Sequence, residues 1–216
     1  MTREDRTAIT LIVDRSGSMT SIRDEAQSAL NAFIDAQREA PGEVLWTIVL
    51  FNKGYDRRTF NEPGTPLMVH LEPMGMTALN DAVGRTVDDL GRALAAMDEA
   101  ERPGKVIVAI LTDGHENSST DFTTAQVREM VKRQTDEWAW EFVFLATGLD
   151  QFDAERMAMG LGVAAGQTIT VDRADHAYGT YVVSDYVAKS RVAGPGGTHS
   201  TLAEVKAKRD AEKDKA

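Results

Sequence analysis

The sequence has no cysteine among its 216 residues, which excludes disulfides, thiolate catalysis and Cys-type zinc sites. It has no basic excess either: 24 Lys and Arg stand against 34 Asp and Glu, a net charge of −10. That balance argues against binding a phosphate backbone as the main task. No long uninterrupted apolar run is present. The first residues, Met1-Thr2-Arg3-Glu4-Asp5-Arg6, are charged, and the apolar run that follows is broken by Asp14 and Arg15, too soon for a signal peptide or membrane span. These absences lead us to expect a cytoplasmic protein with neither nucleic acid nor membrane as partner.

What is present is ordinary for a globular chain: 42% hydrophobic and 27% charged residues, enough to build a proper core. Strand-length apolar runs alternate with longer segments of helical period. This predicts an α/β fold: a Rossmann-like, doubly wound, mostly parallel central sheet of about six strands, one antiparallel edge strand, and helices on both faces. Ala8-Ile9-Thr10-Leu11-Ile12-Val13 is β-branched and apolar on both faces, as a central parallel strand should be. Residues 45–51, 106–111 and 142–146 read as further buried strands, and 168–171 as an edge strand.

Helices are expected between them. Ile22, Ala26, Ala29, Leu30, Phe33 and Ile34 fall on one helical stripe that Pro41-Gly42 stops. Leu79, Val83, Val87, Leu90 and Leu94 line the inner face of a helix over 78–97. Thr123 and Gln126 form a capping-box pair, with Phe122 and Val127 placed as a hydrophobic staple. Two more helices span 151–159 and 176–192. The turn-rich stretch 53–71 reads as an edge hairpin with extended arms at 57–60 and 67–71. The domain is expected to occupy 1–192. Residues 193–216 would be a Gly/Pro linker and a charged tail, the tail an exposed or frayed helix or disordered. Trp46, Trp138 and Trp140 are expected as core or sheet-cover residues.

The chemistry gathers where strands end. The first strand runs into Asp14-Arg15-Ser16-Gly17-Ser18, and the carboxyl ends of strands form the binding crevice of open α/β sheets. Asp, Ser and Ser in alternation bring three oxygen-bearing side chains to one side of a turn, and Gly17 lets the backbone curl between them. Asp113, in Leu111-Thr112-Asp113-Gly114, ends another central strand at the same edge. Thr77, in Gly75-Met76-Thr77, lies in the loop before a long helix and adds a hydroxyl from a third side. Hydroxyls and carboxylates suit a hard divalent cation, with oxygen ligands at roughly 2.0–2.1 Å for Mg²⁺. Softer metals would call for His or Cys.

Asp14-x-Ser16-x-Ser18, Thr77 and Asp113 occur in an order and spacing that resembles the von Willebrand factor A domain with its metal-ion-dependent adhesion site, over about residues 7 to 192. The resemblance implies that Ser16, Ser18 and Thr77 bind the ion directly, while Asp14 and Asp113 act directly or through water. It implies Mg²⁺, with Mn²⁺ or Ca²⁺ as alternatives, and a partner protein whose Glu or Asp completes the coordination. The function it suggests is a non-catalytic, metal-dependent adaptor of stand-alone bacterial or phage type. An AAA+ ATPase is one candidate partner by analogy.

Competing readings keep the same residues. Ser16 and Ser18 alone would serve as helix N-caps, and Asp113-Gly114 alone would be a plain turn. His115 and Glu116 fit a site wall or an ordinary surface loop equally well, and Asn117, Ser118 and Ser119 share that ambiguity. The alternative function is a metal-dependent hydrolase or phosphoryl-transfer enzyme. Ser16 stands where such an enzyme would carry its second carboxylate. The Arg15-Ser16-Gly17-Ser18 turn also lacks the glycine two residues before a hydrolase nucleophile.

Overall fold

Strand alternation in the first strand divides the molecule. In β1 (Arg3–Asp14), Ile9, Leu11 and Val13 enter one apolar core, while Ala8 and Ile12 enter another on the opposite face. β4 (Pro103–Thr112) alternates in the same way, with Ile107, Ala109 and Leu111 on the first side and Val106, Val108 and Ile110 on the second. Both strands are therefore covered on two faces, which is why they read as continuous apolar runs. This computed structural model describes residues 2–60, 68–195, 197 and 199–215.

The sheet is completed by β2 (Glu43–Phe51), β3 (Tyr55–Phe60), β5 (Glu141–Thr147) and β6 (Thr168–Val171), in the order β3-β2-β1-β4-β5-β6. All neighbours are parallel except β2 and β3, which pair antiparallel at the edge. One face is covered by α1 (Arg23–Glu39), α5 (His176–Ala193) and α6 (Leu202–Lys213). The other is covered by α2 (Leu79–Ala96), α3 (Thr124–Trp138) and α4 (Gln151–Gly160). The capping box at Thr123 and Gln126 is formed, and Phe122 and Val127 pack in the same core. No helix among the described residues is long and apolar enough to cross a membrane.

Three expectations change. The edge hairpin is one strand rather than two: β3 pairs with β2, residues 68–71 are not strand, and residues 61–67 lie outside the described part. The backbone of 68–71 is satisfied by side chains of α1 instead. Asn31 accepts from Val69 N–H (2.8 Å) and Gln27 from Leu71 N–H (3.0 Å), while Val69 and Leu71 bury their side chains in the core.

The tail is not an exposed or disordered appendage, because α6 is docked. Thr201 and Glu204 form its capping box, Leu202 and Val205 are buried, and Tyr178 Oη donates to Asp210 (2.5 Å). Arg209 Nε donates to Asp185 on α5 at 2.8 Å. Finally, Trp46 and Trp140 are core residues, whereas Trp138 at the end of α3 is 65% exposed.

Candidate metal centre

The register places the site. Val13 of β1 is level with Leu50 of β2 and Leu111 of β4, so Asp14 and Asp113 leave the sheet side by side. The two strand ends are tied directly, since Thr112 Oγ1 donates to Asp14 Oδ2 at 2.7 Å. The other Asp14 oxygen accepts from Ser16 N–H at 2.7 Å, which curls the turn back over the strand end. Ser16 is the residue preceding a short 3-10 turn (Gly17–Ile22), yet its hydroxyl makes no cap hydrogen bond. It meets Ser18 Oγ at 3.0 Å instead. Ser18 Oγ in turn donates to Asp113 Oδ1 at 2.7 Å. The N-cap reading of Ser16 is therefore not realised: both serine hydroxyls point toward the carboxylates.

Thr77 arrives from the third loop, which is stitched to the first. Gly17 N–H donates to Gly75 O (3.0 Å) and Met74 N–H to Arg15 O (2.9 Å). Gly75 has φ +75, a left-handed conformation in which other residues are strained. Two asparagines hold this loop: Asn52, which no sequence pattern singled out, and Asn117, which the sequence left open between site wall and surface loop. Asn52, at the end of β2, donates from Nδ2 to Met74 O (2.9 Å) and accepts from Ala78 N–H through its backbone oxygen (2.9 Å). Asn117 grips Thr77 from both sides: Thr77 N–H donates to Asn117 Oδ1 (2.9 Å), and Asn117 N–H to Thr77 O (3.0 Å). Glu116 is a bracing residue: its carboxylate accepts from the backbone N–H groups of Asn80, Ser118 and Ser119. His115 stays exposed on the surface.

All five predicted residues thus reach one sheet edge. A methyl group placed on Gly114 would lie 3.5 Å from Thr77 Oγ1 and 3.6 Å from Ser18 Oγ, so Gly114 and these two hydroxyls border one small cradle. Thr77 is 3% exposed, and its hydroxyl has no hydrogen-bond partner among the described residues. That hydroxyl is not among the polar atoms sealed off without a partner; it faces the cradle, where it would be free to serve as a ligand. The donor set fits a hard cation: two carboxylates and three hydroxyls, without nitrogen or sulfur. Among the described residues no three His, Cys, Asp or Glu side chains gather as a metal cluster, here or elsewhere, so a cation at this edge would depend on the hydroxyls. Burial pushes the Asp14 carboxyl above the usual carboxylate range, and the charge of Asp113 adds to this, against the hydrogen bonds from Thr112 and Ser16. A divalent cation would oppose that shift.

One further group belongs to the site. Arg173, on the short turn between β6 and α5, donates from Nη1 to Asp113 Oδ2 at 2.6 Å and to Ser18 O at 3.1 Å. It lies 60 residues from Asp113 in sequence, and only the placement of the β6 end beside β5 brings it here.

No family model matches the sequence, and no curated protein matches it. Solved structures do match. Proximal thread matrix protein 1 from the mussel byssus superposes with a TM-score of 0.59 at 12% identity, covering 85% of this chain and 46% of that one. The fold is that of a von Willebrand factor type A domain. A von Willebrand factor type A protein from Catenulispora acidiphila (TM-score 0.55, 19% identity, 86% and 43% covered) carries the name outright. So does the vWF domain of the type V pili tip protein Mfa5 from Porphyromonas gingivalis (TM-score 0.57, 7% identity, 84% and 95% covered). A further structure of the mussel protein (TM-score 0.59, 12% identity, 85% and 48% covered) is described as having a zinc-occupied MIDAS motif. This chain spans a little under half the length of the mussel and Catenulispora proteins, so the likeness to them is one of the von Willebrand factor A fold.

Proposed function

We propose that the chain is a non-catalytic, metal-dependent protein-binding module. Ser16, Ser18 and Thr77 would hold a divalent cation directly, with Asp14 and Asp113 binding directly or through water. The cation would supply an electrophilic point on the surface to which an acidic group of a partner protein attaches. The observation that carries this reading is the convergence of two carboxylates and three hydroxyls at one sheet edge, with Ser16 bonded to Ser18, Ser18 to Asp113, and Thr77 Oγ1 facing the Gly114 cradle beside Ser18. All-oxygen donors with neutral hydroxyls among them favour Mg²⁺ or Mn²⁺ over softer metals. The rim supports a protein partner: Met74 and Met76, on the loop that carries Thr77, are 63% and 49% exposed, and exposed methionines are adaptable contact residues.

The hydrolase alternative finds little support. No histidine among the described residues is hydrogen-bonded to Ser16 or Ser18; the buried His176 contacts Thr147 and Thr180. Ser18 Oγ donates to Asp113, but that carboxylate is also held by Arg173, and neither serine has the histidine base that usually activates such a nucleophile. The experiment is a capture from lysate of the native cell on immobilised protein, in Mg²⁺ and in EDTA. Capture that needs Mg²⁺ and is lost in Asp14→Ala is the expected result. Capture indifferent to both overturns the reading, as does Ser16- or Asp14-dependent turnover of generic phosphate or acyl esters.

A further inference from the structure

Arg173 does more than border the site. Its guanidinium takes Asp113 Oδ2 at 2.6 Å while Ser18 Oγ takes Oδ1 at 2.7 Å, so both oxygens of this carboxylate are already engaged. Asp113 has no exposed side-chain surface while Arg173 is 41% exposed, so solvent screens the pair from the arginine side only. The seat for the arginine is built into the fold. Gly148, at the end of β5, has φ +69, and a methyl group there would stand 2.9 Å from both Cγ and Nε of Arg173. The same guanidinium donates to two backbone oxygens, Ser18 O at 3.1 Å and Asp113 O at 3.4 Å.

Charge decides what this arrangement means for a cation. Asp14 and Asp113 bring two negative charges to the edge, and Arg173 returns one positive charge. A divalent cation added beside the seated arginine would leave the cluster with one excess positive charge, and the cation and guanidinium would repel each other. Without the arginine the cation and the two carboxylates balance.

We infer that Arg173 is an internal competitor for the divalent cation: it neutralises Asp113 in the metal-free protein and is displaced when metal binds. This rests on the metal-binding reading above. Metal affinity is then set by an exchange of counter-ions, and loading frees the turn Arg173–Asp175 that leads into α5.

The test is calorimetric titration of Mn²⁺ into the wild type and Arg173→Gln, with thermal melts to verify folding. Glutamine removes the charge, so the variant should bind Mn²⁺ at least about tenfold more tightly. Equal affinities within about twofold overturn the competition while leaving the metal site standing, and weaker binding in the variant overturns it in favour of a supporting role. If neither protein binds Mn²⁺, the metal reading itself fails and the competition with it. Should Arg173→Gln not fold, amide hydrogen exchange of the wild type decides: faster exchange at residues 172–176 with saturating Mg²⁺ supports displacement, and unchanged or slower exchange overturns it.

Discussion

Replacing Thr77 with valine separates a metal ligand from a structural hydroxyl. The two side chains are nearly isosteric, and the Thr77 hydroxyl has no hydrogen-bond partner among the described residues, while its backbone bonds to Asn117 are untouched. In EDTA the variant should therefore be as stable as the wild type, within about 0.5 kcal/mol. With metal the two diverge. A cation present at a hundred times its dissociation constant stabilises the wild type by about 2.7 kcal/mol, equivalent to a rise of roughly 5–10 °C in melting temperature for a chain of this size. If losing one ligand weakens binding about tenfold, the same Mg²⁺ concentration stabilises Thr77→Val by only about 1.4 kcal/mol, roughly half the shift. Differential scanning calorimetry in EDTA and in Mg²⁺ reads both quantities on the same samples. Equal metal-induced shifts in the two proteins would remove Thr77 from the ligand set. A loss of more than about 1 kcal/mol in EDTA would give the hydroxyl a structural role instead.

Further outcomes follow from the scaffold. Glu141 partners the buried Lys105 (3.0 Å) and accepts from Tyr186 and Ser190, so Glu141→Gln should cost about 3 kcal/mol in urea unfolding by stranding the ammonium group; a cost below about 1 kcal/mol would show the network to be redundant. Leu202 has no exposed surface, and Leu202→Ala should cost about 2–4 kcal/mol and raise amide exchange across α6, whereas an unchanged melt would mean that α6 is not docked in solution. Burial lowers the ring pKa of His176 below its usual 6.5, against the pull of Glu25 and Asp113. The unfolded chain then binds the proton first, so this contribution is complete above about pH 6.5 and is lost as pH falls through the lower folded value. His176→Gln should show a flatter stability profile from about pH 7 to 5, and parallel profiles would refute the assignment.

Much of this was legible in one dimension because the fold is built from strong periodic signals. β1, β2, β4 and β5 are covered on two faces, so their runs are continuously apolar, and β6 begins and ends where the pattern places it. Asp14, Ser16, Ser18, Thr77 and Asp113 could be grouped because each sits at the end of a strand or the start of a helix, positions that a doubly wound topology gathers at one edge. What stayed hidden depends on contacts between distant segments. Arg173 carries no local mark of its pairing with Asp113. Asn52 looks like an ordinary loop residue, and Asn117 stays ambiguous, until their bonds to the Thr77 loop are seen. α6 offers only two fully buried apolar residues, Leu202 and Val205, too few for periodicity to reveal. Its capping box at Thr201 and Glu204 was the available sign.

The claim beneath all of these is that the Asp14 cluster binds a divalent cation. Titration of Mn²⁺ into wild type and Asp14→Asn, both shown folded by circular dichroism, tests it most directly, because asparagine keeps an acceptor for Ser16 N–H while removing the charge and the second carboxylate oxygen, which accepts from Thr112. One saturable site in the wild type, lost or weakened at least about tenfold in the variant, is the predicted result. No saturable site in the wild type, or equal binding by both proteins, would contradict it.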